Sequence, residues 1–241
     1  MGANNDLTSN HSDRQVPDKQ GPGAAGFSLD YWETNYAQPE TMDGIYNSRG
    51  RALALKALLD SEYFEVATLV DLGFGLGALF KEMINVFMPH IVIGLEPSPY
   101  AYNRLQQVMQ NMELTDIESI QIQLLRMDIS QWCQQESQPA EFDLGICTSV
   151  FQYLSDAEIQ ASLPIMAERI RYLYFSVPTD LELLFQREEL QFHDPYAISR
   201  SKAVYHAMIQ DHFTIVSNRV LESKRHFSAN TSYFTDFLYR F

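Results

Sequence analysis

The stretch VDLGFGLGALFKEM, Val70–Met83, sets three glycines at alternate positions between an apolar run and an amphipathic one. Val66–Asp71 reads as a short buried strand, and Leu79, Phe80, Met83, Ile84 and Phe87 share one face at helical spacing. Without Cβ atoms, the turn between them can bend sharply and let a ligand lie against the backbone. In an open parallel sheet such a turn stands beyond the carboxyl ends of the strands, where ligands bind.

Outward from this turn, strands and helices alternate. Further strands read at Ile91–Glu96, Ile120–Leu125, Phe142–Thr148 and Tyr172–Val177. Before the first strand, Asn47 is placed to cap a helix running to about Asp60, with Leu55, Leu58 and Leu59 inward. Leu105, Val108, Met109 and Met112 line up on a helix after the second strand. Ser155 and Glu158 form a capping box, opening a helix expected to bend or restart at Pro164. After a helix over Ser201 to His212 come two strand-like runs, Thr214–Leu221 and Tyr233–Phe241, with no helix between them. The pattern predicts an α/β fold: a doubly wound, mostly parallel seven-stranded sheet with helices on both faces, closed by a C-terminal antiparallel hairpin.

Residues 1–26 are almost devoid of large apolar side chains and read as a disordered tail. Residues 27–241 read as a single domain. Within it, 27–60 would form an aromatic N-terminal lid and a helix, and 178–200 an insertion on the ligand side of the sheet. The balance of 31 acidic against 17 basic residues gives a formal charge of −14, which opposes nucleic acid and anionic membranes as partners. Two cysteines, Cys133 and Cys147, are too few for a disulfide framework, and Cys147 lies in an apolar run as a small core residue. No charged-then-apolar leader opens the chain, and no apolar run approaches membrane-spanning length, so a reduced, cytoplasmic setting is expected. No metal-ligand spacing recurs.

Two cofactor classes compete for the glycine turn. Gly73, Gly75 and Ala78 satisfy a variant of the dinucleotide pattern, so an NAD-dependent oxidoreductase stays open on the glycines. Glu96, at the end of the second strand, would accept from ribose hydroxyls in either class. Three features favour S-adenosylmethionine. Asp71 at the strand tip opposes a pyrophosphate and suits an ammonium group, Asp128 follows the third strand where an exocyclic amine could bind, and the closing hairpin is antiparallel.

In this order, VDLGFGLG, IGLEPS, MDI and FDLGICTSVFQYLSD resemble the motif series of class I S-adenosylmethionine-dependent methyltransferases, from about Val66 to Phe241. The resemblance implies that Gly73, Gly75 and Gly77 lie under the methionine and ribose, and that Asp71 orients the methionine ammonium. It implies Glu96 on the ribose hydroxyls, Pro97 and Ser98 against the adenine, and Asp128 and Ile129 on its edge. Thr148 and Ser149 would line the passage to the acceptor. Tyr31 and Arg49 would close over the cofactor, with Arg49 on the methionine carboxylate.

For the acceptor side, SVFQYL carries Gln152 and Tyr153 where many relatives have histidines, so no base is evident there. Tyr153 and His193 are the candidate catalytic residues. Asp194 and Tyr196 could add hydrogen bonds, and Arg200 could bind an acidic substrate. The expected activity is methyl transfer to an N or O atom of a small molecule. A protein side chain as acceptor and a non-catalytic cofactor-binding protein are the alternatives beside the oxidoreductase.

Overall fold

A computed structural model describes residues 20–36, 46–111, 120–135 and 141–227. Seven strands form one sheet: β1 (Thr68–Leu72), β2 (Ile91–Leu95), β3 (Gln121–Leu125), β4 (Phe142–Thr148), β5 (Ile170–Ser176), β6 (Phe213–Ser217) and β7 (Val220–Ser223). Their order is β3-β2-β1-β4-β5-β7-β6. The first five are parallel, and β7 is antiparallel to both β5 and β6. The strand order reverses between β1 and β4, so a crevice opens there at the carboxyl ends.

Helices cover both faces. α3 (Ser48–Ser61), α4 (Ala78–Phe87) and α5 (Pro99–Asn111) follow two short N-terminal helices, α1 (Gly23–Gly26) and α2 (Leu29–Asn35). α6 (Ile129–Cys133), α7 (Asp156–Arg169), α8 (Asp180–Glu188) and α9 (Lys202–Ile209) are the other α-helices among the described residues. Alternation along the strands feeds two cores. Leu69, Val92, Leu144, Ile146 and Tyr172 pack with Leu55, Leu59, Phe80, Met83 and Leu105. Val70, Leu72, Ile93, Cys147 and Leu173 pack on the other side with Trp132, Ile159, Leu163, Met166 and Ile209. Each such side chain contributes about 1.5–3 kcal/mol through burial.

Local chemistry explains most element ends. Ser155 and Glu158 form the expected capping box. α7, however, runs unbroken through Pro164 instead of restarting there. Asn47 stands at the N-cap of α3, but its backbone is left-handed (φ 53°) and its side chain makes no cap bond. The turn of the closing hairpin falls inside Thr214–Leu221, expected as one strand, and divides it between β6 and β7. Arg219 adopts φ 66° and turns β6 into β7, a bend the sequence hides because no glycine marks it. The expected partner strand, Tyr233–Phe241, lies outside the described residues, as do residues 1–19 of the expected tail. Gln20–Gly26 are described, and Gly23–Gly26 form one helical turn.

One side chain ties the two central strands at their entry. Asp143 Oδ2 accepts from the backbone N–H groups of Ala67 and Thr68 and from the Thr68 hydroxyl, each at 3.0 Å. Thr68 Oγ1 in turn accepts the Asp143 N–H at 2.9 Å. Asp143→Ala leaves two half-buried amides without their acceptor and should lower the unfolding free energy by about 2–4 kcal/mol in urea titration. A loss below about 0.5 kcal/mol would show that water replaces the carboxylate.

Candidate functional site

The glycine turn is shaped by what each glycine faces. A Cβ on Gly73 (φ 135°) would lie 2.7 Å from Val150, and one on Gly77 (φ 78°) would lie 2.5 Å from Leu105. Gly75 (φ 54°) differs, since its Cβ would meet only Trp32, at an ordinary 3.5 Å. Gly73 and Gly77 therefore serve close packing as well as backbone conformation, while Gly75 borders open space.

Two buried carboxylates stand against this turn. Asp71, in β1, is 3% exposed, and Glu96, just past β2, is 5% exposed. Glu96 accepts the N–H groups of Gly75 at 2.9 Å and Ser98 at 2.8 Å. Burial pushes its carboxyl up to about 7 against the opposing pull of those two bonds. Burial, followed by the charge of Glu96, pushes Asp71 well above the carboxylate range, while a bond from the Gly73 N–H works the other way.

Around them lies a cavity of about 470 Å³, the size that holds one drug-sized ligand. Asp71, Gly73, Gly75, Gly77, Glu96, Pro97, Asp128, Ile129, Thr148, Ser149, Tyr31 and Tyr153 all line it, so twelve residues from distant parts of the sequence converge on one cavity. Asp128 also caps α6, accepting the Gln131 N–H at 2.8 Å through Oδ1. Ser149 holds a left-handed backbone (φ 55°), a strained conformation for a non-glycine residue at the rim of a site. Glu158 joins Asp71, Glu96 and Asp128 on the wall, and no Lys, Arg or His is among the described lining residues.

Four expectations are corrected. Ser98 is fully buried behind the wall and pins the N-terminal segment. Its Oγ accepts from Trp32 Nε1 at 2.9 Å and donates to the Phe27 carbonyl at 2.6 Å. The Arg49 side chain is 66% exposed and pairs with Glu82 at 3.2 Å, away from the cavity. His193 is exposed and outside the lining. Arg200 cannot meet a substrate, because its guanidinium is buried against Asp156 Oδ1 (2.6 Å) and the carbonyls of Phe151 (3.2 Å) and Leu154 (2.6 Å).

Several residues at the site drew no individual role from sequence. Trp32 lies over Gly75, and Val150 and Leu105 fill the room left by the other two glycines. Tyr36 lines the cavity, its ring centroid 6.1 Å from that of Tyr31 and 4.7 Å from that of Trp32. The aromatic richness of residues 27–46 was the available signal, but without a period it could not say which ring faces inward. Among the described residues, no group of three or more His, Cys, Asp or Glu could hold a metal ion, and no helix is long and apolar enough to cross a membrane.

No family model matches the chain, and the search of curated proteins returned no match. Solved structures do. Magnesium protoporphyrin IX methyltransferase (ChlM) from Synechocystis PCC 6803, with bound S-adenosylhomocysteine, superposes with a TM-score of 0.53 at 18% identity, over 83% of this chain and 94% of that one. The N-methyltransferase NodS from Bradyrhizobium japonicum WM9, also with S-adenosylhomocysteine, gives 0.55 at 16% identity, over 81% and 97%. The small RNA methyltransferase HEN1 gives 0.56 at 16% identity, over 74% of this chain and 26% of that one. The fold is therefore that of the class I S-adenosylmethionine-dependent methyltransferases.

The raised Glu96 carboxyl links folding to pH. Its folded-state value, about 7, exceeds the ordinary 4.5, so the native state binds this proton more tightly than the unfolded chain does. The associated stability is full below about pH 4.5 and is lost as pH rises through 7. Relative to wild type, Glu96→Gln should therefore gain about 1–3 kcal/mol between pH 5 and pH 8 in urea unfolding. A difference that stays constant with pH would show that Glu96 is ionised throughout.

Proposed function

We propose that this chain is an enzyme that binds S-adenosylmethionine in the cavity at the β1–β4 crossover and methylates an N or O atom of a small molecule. The observation that carries this is the pair of buried carboxylates, Asp71 and Glu96, set against a glycine turn in a cavity wall without a basic side chain among the described lining residues. Such a wall opposes a pyrophosphate, which argues against NAD, and suits a ligand that brings a cationic sulfur, an ammonium group and ribose hydroxyls. The fold's own neighbours, two of them with S-adenosylhomocysteine bound, support the same cofactor.

In this reading Asp71 receives the ammonium group and Glu96, in its ionised form, accepts the ribose hydroxyls, a form the N–H groups of Gly75 and Ser98 favour against the push of burial. Pro97, Asp128 and Ile129 border the adenine. Thr148, Ser149 and Tyr31 flank the way to the acceptor. Bound there, the cofactor supplies an electrophilic methyl on sulfur, and the protein's part is to align the acceptor and exclude water. Tyr31 and Trp32, both nearly fully buried, wall the N-terminal side of the cavity, which favours a small acceptor over a protein side chain. The acidic wall disfavours an RNA acceptor.

Calorimetry should detect S-adenosylhomocysteine and no NAD, and the reverse result would replace the methyltransferase with an oxidoreductase. Gly75→Val should abolish S-adenosylhomocysteine binding because its side chain enters the ligand's space instead of a packed core, and since the left-handed backbone there (φ 54°) is strained by any side chain, circular dichroism of the variant confirms that the chain is folded. Gly77→Val, driven into Leu105, should instead destabilise the fold. Since only ionised Glu96 accepts both hydroxyls, affinity for S-adenosylhomocysteine should rise about tenfold from pH 6 to pH 8. Glu96→Gln should flatten that profile, and a wild-type profile already flat would remove Glu96 from the ribose.

A further inference from the structure

Tyr31, Tyr36 and Tyr153 meet at one end of the cavity, with Asp194 behind them. Tyr153 donates its hydroxyl proton to Asp194 Oδ2 at 2.5 Å. The Tyr31 hydroxyl lies 3.1 Å from the same carboxylate oxygen and 3.1 Å from the Tyr153 hydroxyl. The other carboxylate oxygen, Oδ1, accepts the Tyr196 N–H at 3.0 Å. Phe27 and Tyr196 back the group, with the Phe27 ring edge-on to Tyr31 and Tyr153 and the Tyr196 ring stacked on Tyr31 at 5.4 Å.

A phenol has one proton to give and two lone pairs to receive. The Tyr153 proton is committed to Asp194, and the Tyr31 proton goes either to Asp194 or to the Tyr153 oxygen. In both cases the two protons are used inside the cluster. The rings also stay neutral, since burial raises all three phenols, Tyr36 to about 12. What Tyr31 and Tyr153 offer outward is lone pairs, flanked by aromatic surface and backed by a carboxylate. The remaining cavity wall adds Asp71, Glu96, Asp128 and Glu158 and, among the described lining residues, no cation.

A carboxylate or phosphate would find no donors at these phenol oxygens and a field of its own sign. An amine brings what the wall lacks. Its N–H groups satisfy the phenol oxygens, and in its charged form it also gains from the aromatic faces. A neutral primary amine that donates both N–H groups keeps its own lone pair free.

Resting on the methyltransferase reading, we propose that Tyr31 and Tyr153, oriented by Asp194, form a subsite for a small amine, so that the acceptor class is amines and the methylated atom a nitrogen. Asp194 is a positioning residue, for it acts through the two phenols.

Three isosteric probes test this by calorimetry on protein saturated with S-adenosylhomocysteine: benzylamine, benzyl alcohol and benzoate. Benzylamine should bind at least tenfold more tightly than benzoate, with benzyl alcohol between them. Asp194→Asn gives a readout that a merely structural role would not. The Tyr196 N–H keeps the amide oxygen on its side, so the amide NH2 faces the phenols and turns their protons toward the cavity. Benzoate should then equal or exceed benzylamine, with S-adenosylhomocysteine affinity changed less than twofold. Tyr153→Phe should weaken benzylamine about tenfold and supplies a second variant should the first fail to fold. Benzoate matching benzylamine on wild type, no benzylamine binding to the loaded protein, or an unchanged preference in a folded Asp194→Asn would each overturn the subsite. Failure of S-adenosylhomocysteine to bind would instead strike the cofactor reading. The benzylamine-over-benzoate order on the free protein would then still decide the subsite.

Discussion

Two carboxylates taken out of water beside each other, Asp71 and Glu96, impose more on this molecule than any other pair of groups. Burying a charge without a counter-ion is costly unless hydrogen bonds satisfy it. Here the satisfying donors are backbone N–H groups: Gly73 to Asp71, and Gly75 and Ser98 to Glu96. To aim those donors inward, the chain after β1 must pass through three positive-φ positions in five residues. The glycine turn is therefore a demand of the carboxylates as much as an accommodation for a ligand. The carboxylates remain only partly compensated, as the upward push on both shows, and a ligand bearing cationic or hydroxyl donors would complete them.

The same buried acid anchors the N-terminal segment. The Ser98 N–H is held by Glu96, and that leaves the Ser98 hydroxyl to receive Trp32 Nε1 and to reach the Phe27 carbonyl. Trp32 is thereby set over Gly75, the one glycine of the three whose missing side chain faces no packed neighbour. A change at Glu96 would thus be felt twice, in the turn and in the placement of the N-terminal helix. That coupling explains how a segment of only seven residues, α2, is oriented without a long hydrophobic face of its own.

Sequence made the sheet legible because its central strands, β1, β2, β4 and β5, are buried on both faces and its helices are amphipathic, two patterns that do not resemble each other. It also made the cavity wall legible where that wall is built from strand ends, since a residue's place in a strand fixes its place in space. The failures share a cause. Arg49, Ser98, His193 and Arg200 sit on helices, turns or loops, where the direction of a side chain depends on packing that no local pattern encodes. Arg200 reads as a free cation in SRSK, yet three acceptors from 151–156 surround it. The hairpin turn is hidden from sequence for a related reason, because Arg219 takes a conformation for which glycine or asparagine is the usual signal.

Arg200 also explains how the segment between β5 and α9 shapes the site without lending it a positive charge. Its guanidinium holds the carbonyls of Phe151 and Leu154, which bracket the short 3-10 turn Phe151–Tyr153. From the same segment, the Ile198 N–H donates to the Gln152 carbonyl at 2.7 Å, and Asp194 takes the Tyr153 hydroxyl proton. Three consecutive residues of the turn are thus gripped from one side, Phe151 and Gln152 at their carbonyls and Tyr153 at its hydroxyl. The positive charge that accomplishes this is spent on Asp156 and on carbonyl oxygens, and it is kept out of the cavity. A cation turned the other way would have neutralised the acidic wall. Its inward anchoring is what lets one region be rigid and the adjoining cavity stay negative.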